Sequence, residues 1–199
     1  MKKAGKHIIL GVTASIAIYK ACELIRRLKD CGFTVTVVMT REAEELIKPI
    51  VFQSLSARRV YGGGMFDEPD ACKLENNGLP SDRQSQEIEH ISLAQAADLI
   101  LIAPATANII AKLAAGICDD LLTCMVCATK AAVLIAPAMN ENMYNNKITQ
   151  GNIRKLKSLG YKFIEPKVGE LVCGKVGIGC LAETESIVKE AKQSLKNGH

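Results

Sequence analysis

Two rhythms of apolar and polar positions run along this chain. His7–Val12 (HIILGV) is a short apolar run that ends in a polar turn. Across 15–29 the apolar residues return at helical spacing, at Ile16, Tyr19, Ala21, Leu24, Ile25 and Leu28. Gly32 closes that helix, and Thr34–Met39 (TVTVVM) is rich in β-branched residues. The opening therefore predicts strand, helix, strand, a parallel pair with a right-handed crossover. The pattern then repeats. Residues 98–103 (DLILIA) form a continuous apolar strand, the mark of burial on both faces. A helix is predicted at 106–115, a buried strand at 131–136 and an amphipathic helix at 145–160. A strand at 161–164 and a helix at 183–196 complete the series, and a short helix begins at 89–93. This alternation predicts an α/β fold over 1–199, a Rossmann-like or flavodoxin-like three-layer sandwich with a mostly parallel sheet. Residues 62–87, with GGG, Pro69, NNG and Pro80, break the rhythm and are expected to form a surface loop.

Composition narrows the function classes. The chain has 199 residues, a formal net charge of +4 and only 4% aromatics, with lysines dispersed rather than striped. That excludes a base-stacking nucleic-acid platform and suits a phosphorylated small molecule. No stretch has the length of a membrane span and the first residues do not read as a leader, so a cytoplasmic protein away from membranes is expected. The eight cysteines lie mostly in apolar segments and are expected to be reduced core residues. Cys124 and Cys127 form a C-x-x-C without a second pair or a nearby histidine, so no metal is expected.

In open parallel sheets the chemistry gathers beyond the carboxyl ends of the strands. After the first strand comes Gly11-Val12-Thr13-Ala14-Ser15, two hydroxyls at a helix start where a phosphate would meet unpaired N–H groups. Ser15 reads equally as an N-cap, and Thr40, after the second strand, is ambiguous in the same way. Two Ala-Pro turns follow buried strands. One is Ala103-Pro104-Ala105-Thr106-Ala107-Asn108, the other Ala136-Pro137-Ala138-Met139-Asn140-Glu141-Asn142-Met143. Small residues there would admit a flat ligand, while Thr106 and Asn140 also read as caps. Cys173 stands in a glycine-rich stretch, 169–183, and His90 at a helix start.

These segments, GVTASIAIYK at 11–20, HISLAQAADLILIAPATANIIAKLAAGICDDLLT at 90–123, PAMNENMY at 137–144 and LVCGKVGIGCLAE at 171–183, resemble those of the homo-oligomeric flavin-containing cysteine decarboxylases. The resemblance covers the chain except 62–87. It implies FMN as cofactor and removal of the carboxylate from a cysteine-capped substrate, with 4'-phosphopantothenoylcysteine of coenzyme A synthesis as the first choice. The alternatives are a peptide ending in cysteine and a non-enzymatic flavin-binding regulator. In the implied chemistry a flavin takes a hydride from the carbon beside sulfur, carbon dioxide leaves the resulting thioaldehyde, and the enethiol is reduced again.

The resemblance also implies roles. His90 is the catalytic base or carboxylate orienter. Cys173 is the proton donor on a flexible clamp at 169–183. Asn140, Met143 and Ala138 meet the substrate. Thr13, Ser15, Thr40, Phe52, Pro104, Ala105, Thr106 and Asn108 line the FMN site. A homotrimer or homododecamer with sites between subunits is implied. In many bacteria such a domain is fused to a synthetase, and with an end at residue 199 a stand-alone form is expected. Three departures stand out. Ala14 replaces a common glycine, tolerable unless φ is positive there. Tyr144 stands where tryptophan is usual and is expected to alter the pocket wall. Leu181 replaces a common methionine.

Overall fold

A computed structural model describes residues 5–62, 89–170, 174 and 176–196. Six strands lie in one sheet in the order β3-β2-β1-β4-β5-β6, and every neighbouring pair is parallel. They are β1 (His7–Val12), β2 (Thr34–Met39), β3 (Val60–Tyr61), β4 (Leu99–Ala105), β5 (Ala132–Pro137) and β6 (Lys162–Phe163). The doubly wound three-layer fold predicted from the alternation is present. The strand order reverses between β1 and β4, so a crevice opens beyond their carboxyl ends.

The two faces are covered by different helices. Ile8, Leu10 and Val12 of β1 point to one core, shared with α1 (Lys20–Asp30), α3 (Pro49–Ser56) and α9 (Thr184–Lys196). Ile9 points to the other, shared with α4 (Glu89–Ala96), α5 (Ala107–Ala115), α6 (Leu121–Ala128) and α8 (Lys147–Ser158). Every residue of β4 is buried, as its unbroken apolar sequence requires. Each fully buried Leu or Ile there contributes about 1.5–3 kcal/mol.

Several boundaries moved for local reasons. The first predicted helix begins as a single 3-10 turn, Ile16–Tyr19, before α1. The helix expected over 145–160 is divided at Asn146, whose side chain accepts from Ile148 N–H at 2.9 Å and starts α8 afresh. The preceding piece is α7 (Glu141–Asn145). The short α2 (Arg41–Leu46), α3 and α6 were not predicted. α2 and α3 carry too few turns to display a period, and α6 is apolar almost all round.

The glycine-rich segment, expected to be a flexible clamp, contains an antiparallel hairpin of β7 (Lys167–Glu170) and β8 (Val176–Cys180), which forms a sheet of its own. Residues 171–173 and 175 of the clamp, and most of 62–87, lie outside the described residues, as does Cys173. Ala14 keeps ordinary backbone geometry, since among the described residues Ala57 alone has positive φ without being glycine.

The cysteines are only partly as expected. Cys22, Cys31, Cys118, Cys124, Cys127 and Cys180 are thiols, but Cys124 alone is buried, and Cys118 and Cys127 are exposed. Cys118, Cys124 and Cys127 sit together on and before α6. Burial and the neighbouring Cys118 push the Cys127 thiol up to about 11. Among the described residues no group of three His, Cys, Asp or Glu could hold a metal ion.

Candidate functional site

Two parallel strands end side by side where the strand order reverses, and one side chain ties their tips together. Thr13 follows β1 and is 1% exposed. Its hydroxyl donates to the Pro104 carbonyl at 2.7 Å and accepts the Thr106 N–H at 3.1 Å. The β5 tip joins in turn, with Ala138 N–H donating to the Ala105 carbonyl at 2.9 Å. A hydroxyl is needed at residue 13 because donor and acceptor are both used within a buried turn.

Above these tips lies a cleft of about 630 Å³. Its floor is small: Ala14, Ala107 and Ala138. Two hydroxyls stand at helix starts. Ser15 caps the 3-10 turn by accepting from Ala17 N–H at 3.4 Å. Thr106 caps α5 by accepting from Ile109 N–H at 3.3 Å. Both are caps and both line the cleft, so the two readings open in the sequence are compatible. The charged residues lining the described cleft are Lys20 and Lys167, both cationic, and Lys167 is ion-paired with Glu183. A flat, anionic ligand fits this lining: the floor admits an aromatic ring, and helix starts with lysines suit a phosphate or carboxylate.

The Asn140 turn forms one wall. Asn140 is the N-cap of α7, and its Oδ1 accepts from Asn142 N–H at 2.8 Å. Met143, 49% exposed, stands one turn along on the same wall. The hairpin forms the cover through Lys167, Gly169, Gly179 and Cys180. Met139 N–H donates to the Gly179 carbonyl at 3.0 Å. Gly179 has φ +138°, and a Cβ there would fall 2.1 Å from the Met139 carbonyl oxygen. Only glycine lets β8 lie this close to the turn.

Of the residues singled out in the sequence, Ser15, Thr106, Ala138, Asn140 and Met143 meet in this cleft. Thr13, Pro104 and Ala105 lie beneath it as its buried support. Thr40 is at the start of α2, with its N–H bonded to the Val12 carbonyl at 3.0 Å and its side chain 7% exposed. Phe52 has no exposed surface and packs in the core beside α1 and β2, which removes it from the cleft lining. Asn108 is exposed on the first turn of α5. His90 is half-buried on α4, which packs against α6 on one face of the sheet, and it does not line the cleft. Tyr144, expected in the pocket wall, is buried instead, 7% exposed, and its hydroxyl donates to Glu165 at 2.6 Å. The sequence pattern missed Lys20, Lys167 and Cys180 as lining. Lys20 reads as the solvated face of α1, and the other two depend on a hairpin fold that a run of glycines conceals.

The comparisons place this geometry among known proteins. A family model described as Flavoprotein matches residues 1–196. The coenzyme A biosynthesis bifunctional protein CoaBC of Bacillus subtilis is 45% identical over 188 residues, covering 94% of this chain and 43% of that protein. The chain thus spans less than half the length of such bifunctional relatives. A Streptococcus mutans protein named "Probable phosphopantothenoylcysteine decarboxylase" is 42% identical over 192 residues, 96% of this chain and 99% of that one. Among solved structures, a cysteine-to-serine mutant of a PPC decarboxylase complexed with pantothenoylaminoethenethiol superposes with a TM-score of 0.78. It is 27% identical, and the match covers 97% of this chain and 100% of that one. No helix of the described residues is long and apolar enough to cross a membrane. With a doubly wound sheet, an alanine-floored cleft at its switch point and a family match over nearly the whole length, the chain belongs to the flavoprotein family.

Proposed function

We propose that this chain is an FMN-dependent decarboxylase of 4'-phosphopantothenoylcysteine, yielding 4'-phosphopantetheine. The observation that carries the reading is a single cleft in which the Asn140 turn, two hydroxyl-capped helix starts and two lysines converge. Ser15 and Thr106 would hold FMN over the alanine floor, with Thr40 and the support around Thr13 fixing the strand tips. Bound FMN would supply the two-electron oxidation of the sulfur-bearing carbon, so that a thiocarbonyl takes up the electrons left by the departing carboxylate, and the two-electron reduction that follows.

The rest is the work of side chains. The NH2 of Asn140 donates to the substrate carboxylate and holds it without adding charge. Met143 packs against the cysteine portion. Lys20, and Lys167 beside its partner Glu183, attract the phosphorylated end, which favours this substrate over a peptide without a phosphate. Cys173 delivers the proton in the final reduction. His90 acts as base or carboxylate orienter. Because His90 lies outside the cleft of its own chain, it would act in the cleft of a neighbouring copy, in a homotrimer or an assembly of trimers. The cell compartment is the cytoplasm.

The test is direct. Purified protein should be yellow, with flavin absorption bands, and should release carbon dioxide from 4'-phosphopantothenoylcysteine, with phosphopantetheine identified by mass. A peptide ending in cysteine, run alongside, should turn over at least a hundredfold more slowly. Protein that neither carries nor takes up flavin would overturn the reading.

A further inference from the structure

Helix α7 carries both Asn140 and Met143, and it is only five residues long. So short a helix does not hold its own position. Its fixings are therefore worth tracing. The Asn140 carbonyl accepts the Tyr144 N–H at 2.9 Å. The Tyr144 carbonyl accepts from the Gln150 Nε2 of α8 at 2.7 Å. The Tyr144 hydroxyl donates to Glu165 Oε2 at 2.6 Å, and the other oxygen, Glu165 Oε1, accepts from Lys157 Nζ at 2.7 Å. Glu165 lies two residues before β7, at the root of the hairpin that covers the cleft.

Tyr144 is thus bonded at three points: to the residue that starts α7, to the body of α8 and to the base of the cover. The phenol ring is buried in the core beside α8, while its oxygen reaches the rim. An ionised acceptor makes the phenol bond one of the strong kind. Here the link to Glu165 is made by the phenol oxygen of Tyr144.

We propose that Tyr144 is a positioning residue of the decarboxylation: through Glu165 it locks α7 to the hairpin root and so aims the Asn140 carboxamide at the substrate carboxylate. The kinetic part rests on the assignment of Asn140 to that carboxylate made above. Tyr144→Phe keeps the buried ring and removes the link. Glu165→Gln, at a largely exposed side chain, keeps an acceptor oxygen.

Two measurements decide it. In steady-state kinetics Tyr144→Phe should raise KM for the carboxylated substrate roughly tenfold, the size of one hydrogen bond to a charged group. It should leave kcat within about twofold and leave inhibition by the decarboxylated product unchanged, because the product has no carboxylate for Asn140 to hold. Glu165→Gln should stay within about twofold of wild type in KM. In amide exchange, which needs no turnover, Tyr144→Phe should speed the Asn142 and residue-144 N–H groups several-fold and leave Ile109 and Ile110 of α5 unaltered. Wild-type KM and exchange in Tyr144→Phe would overturn the proposal. So would a loss of product affinity matching the loss of substrate affinity, which marks general loosening. A wild-type protein that fails to decarboxylate sinks the functional reading instead, and the exchange measurement then decides this one.

Discussion

The Thr13 hydroxyl donates to the Pro104 carbonyl across the switch point, at 2.7 Å. The same oxygen takes the Thr106 N–H, so one side chain holds the ends of β1 and β4 in register beneath the cleft. Thr13→Val retains the shape and strands both backbone groups. Leaving such groups unsatisfied costs about 1–3 kcal/mol. Urea denaturation should show that loss with an unchanged m-value, and flavin should be retained less tightly on dialysis. Thr13→Ser should recover most of both.

Asn140 combines a cap with a proposed ligand contact, and two substitutions separate them. Asn140→Asp keeps an oxygen to accept from Asn142 N–H, so stability should be unchanged or slightly higher, since a carboxylate suits a helix start. It also sets a negative charge against the substrate carboxylate, and kcat/KM for carbon dioxide release should fall by roughly a hundredfold or more. Asn140→Ala loses the cap as well and should cost about 1 kcal/mol in thermal or chemical unfolding.

Two glycines should respond in opposite directions. At Gly179 an alanine meets the Met139 carbonyl in a backbone conformation that L residues avoid. Gly179→Ala should loosen the hairpin by about 1–3 kcal/mol, seen as faster cleavage there in limited proteolysis. Gly151 lies within α8, and nothing stands within 4 Å of an added Cβ. Gly151→Ala should stabilise by about 0.5–1 kcal/mol.

The Tyr144–Glu165 pair gives stability a pH signature at each end. Burial, and then the hydrogen bond to Glu165, push the Tyr144 phenol up to about 12 from an ordinary value of 10. The folded state therefore holds the proton more tightly than the unfolded chain. The stabilisation is whole below pH 10 and is lost as pH rises from 10 toward 12. The hydrogen bonds from Lys157 and Tyr144 hold the Glu165 carboxyl below its ordinary 4.5. Its contribution is present above that value and lost as pH falls below it. Unfolding across pH should show Tyr144→Phe with a flatter alkaline limb and Glu165→Gln with a flatter acid limb.

What the sequence disclosed follows from the range of the forces involved. The buried strands β1, β2, β4 and β5 announced themselves because burial on both faces demands unbroken apolar runs, and the turns after them marked where a ligand sits. Ser15, Thr106 and Asn140 were legible as caps for the same local reason. Lys167 was not, because its place over the cleft depends on β7 pairing with β8 across a glycine-rich stretch with no apolar rhythm. Phe52 was assigned by resemblance, and its local sequence carries no sign of the core it fills. The position of Tyr144 was visible in PAMNENMY, but its partner Glu165 lies 21 residues away in a segment without pattern.

The hairpin pairs with itself and not with the six-stranded sheet. That independence has a mechanical consequence. Changes of sequence or length within the cover leave the ladder hydrogen bonds of the six-stranded sheet in place. The demand on any replacement is narrow: a backbone carbonyl to receive Met139 N–H, and no side chain where β8 passes the turn.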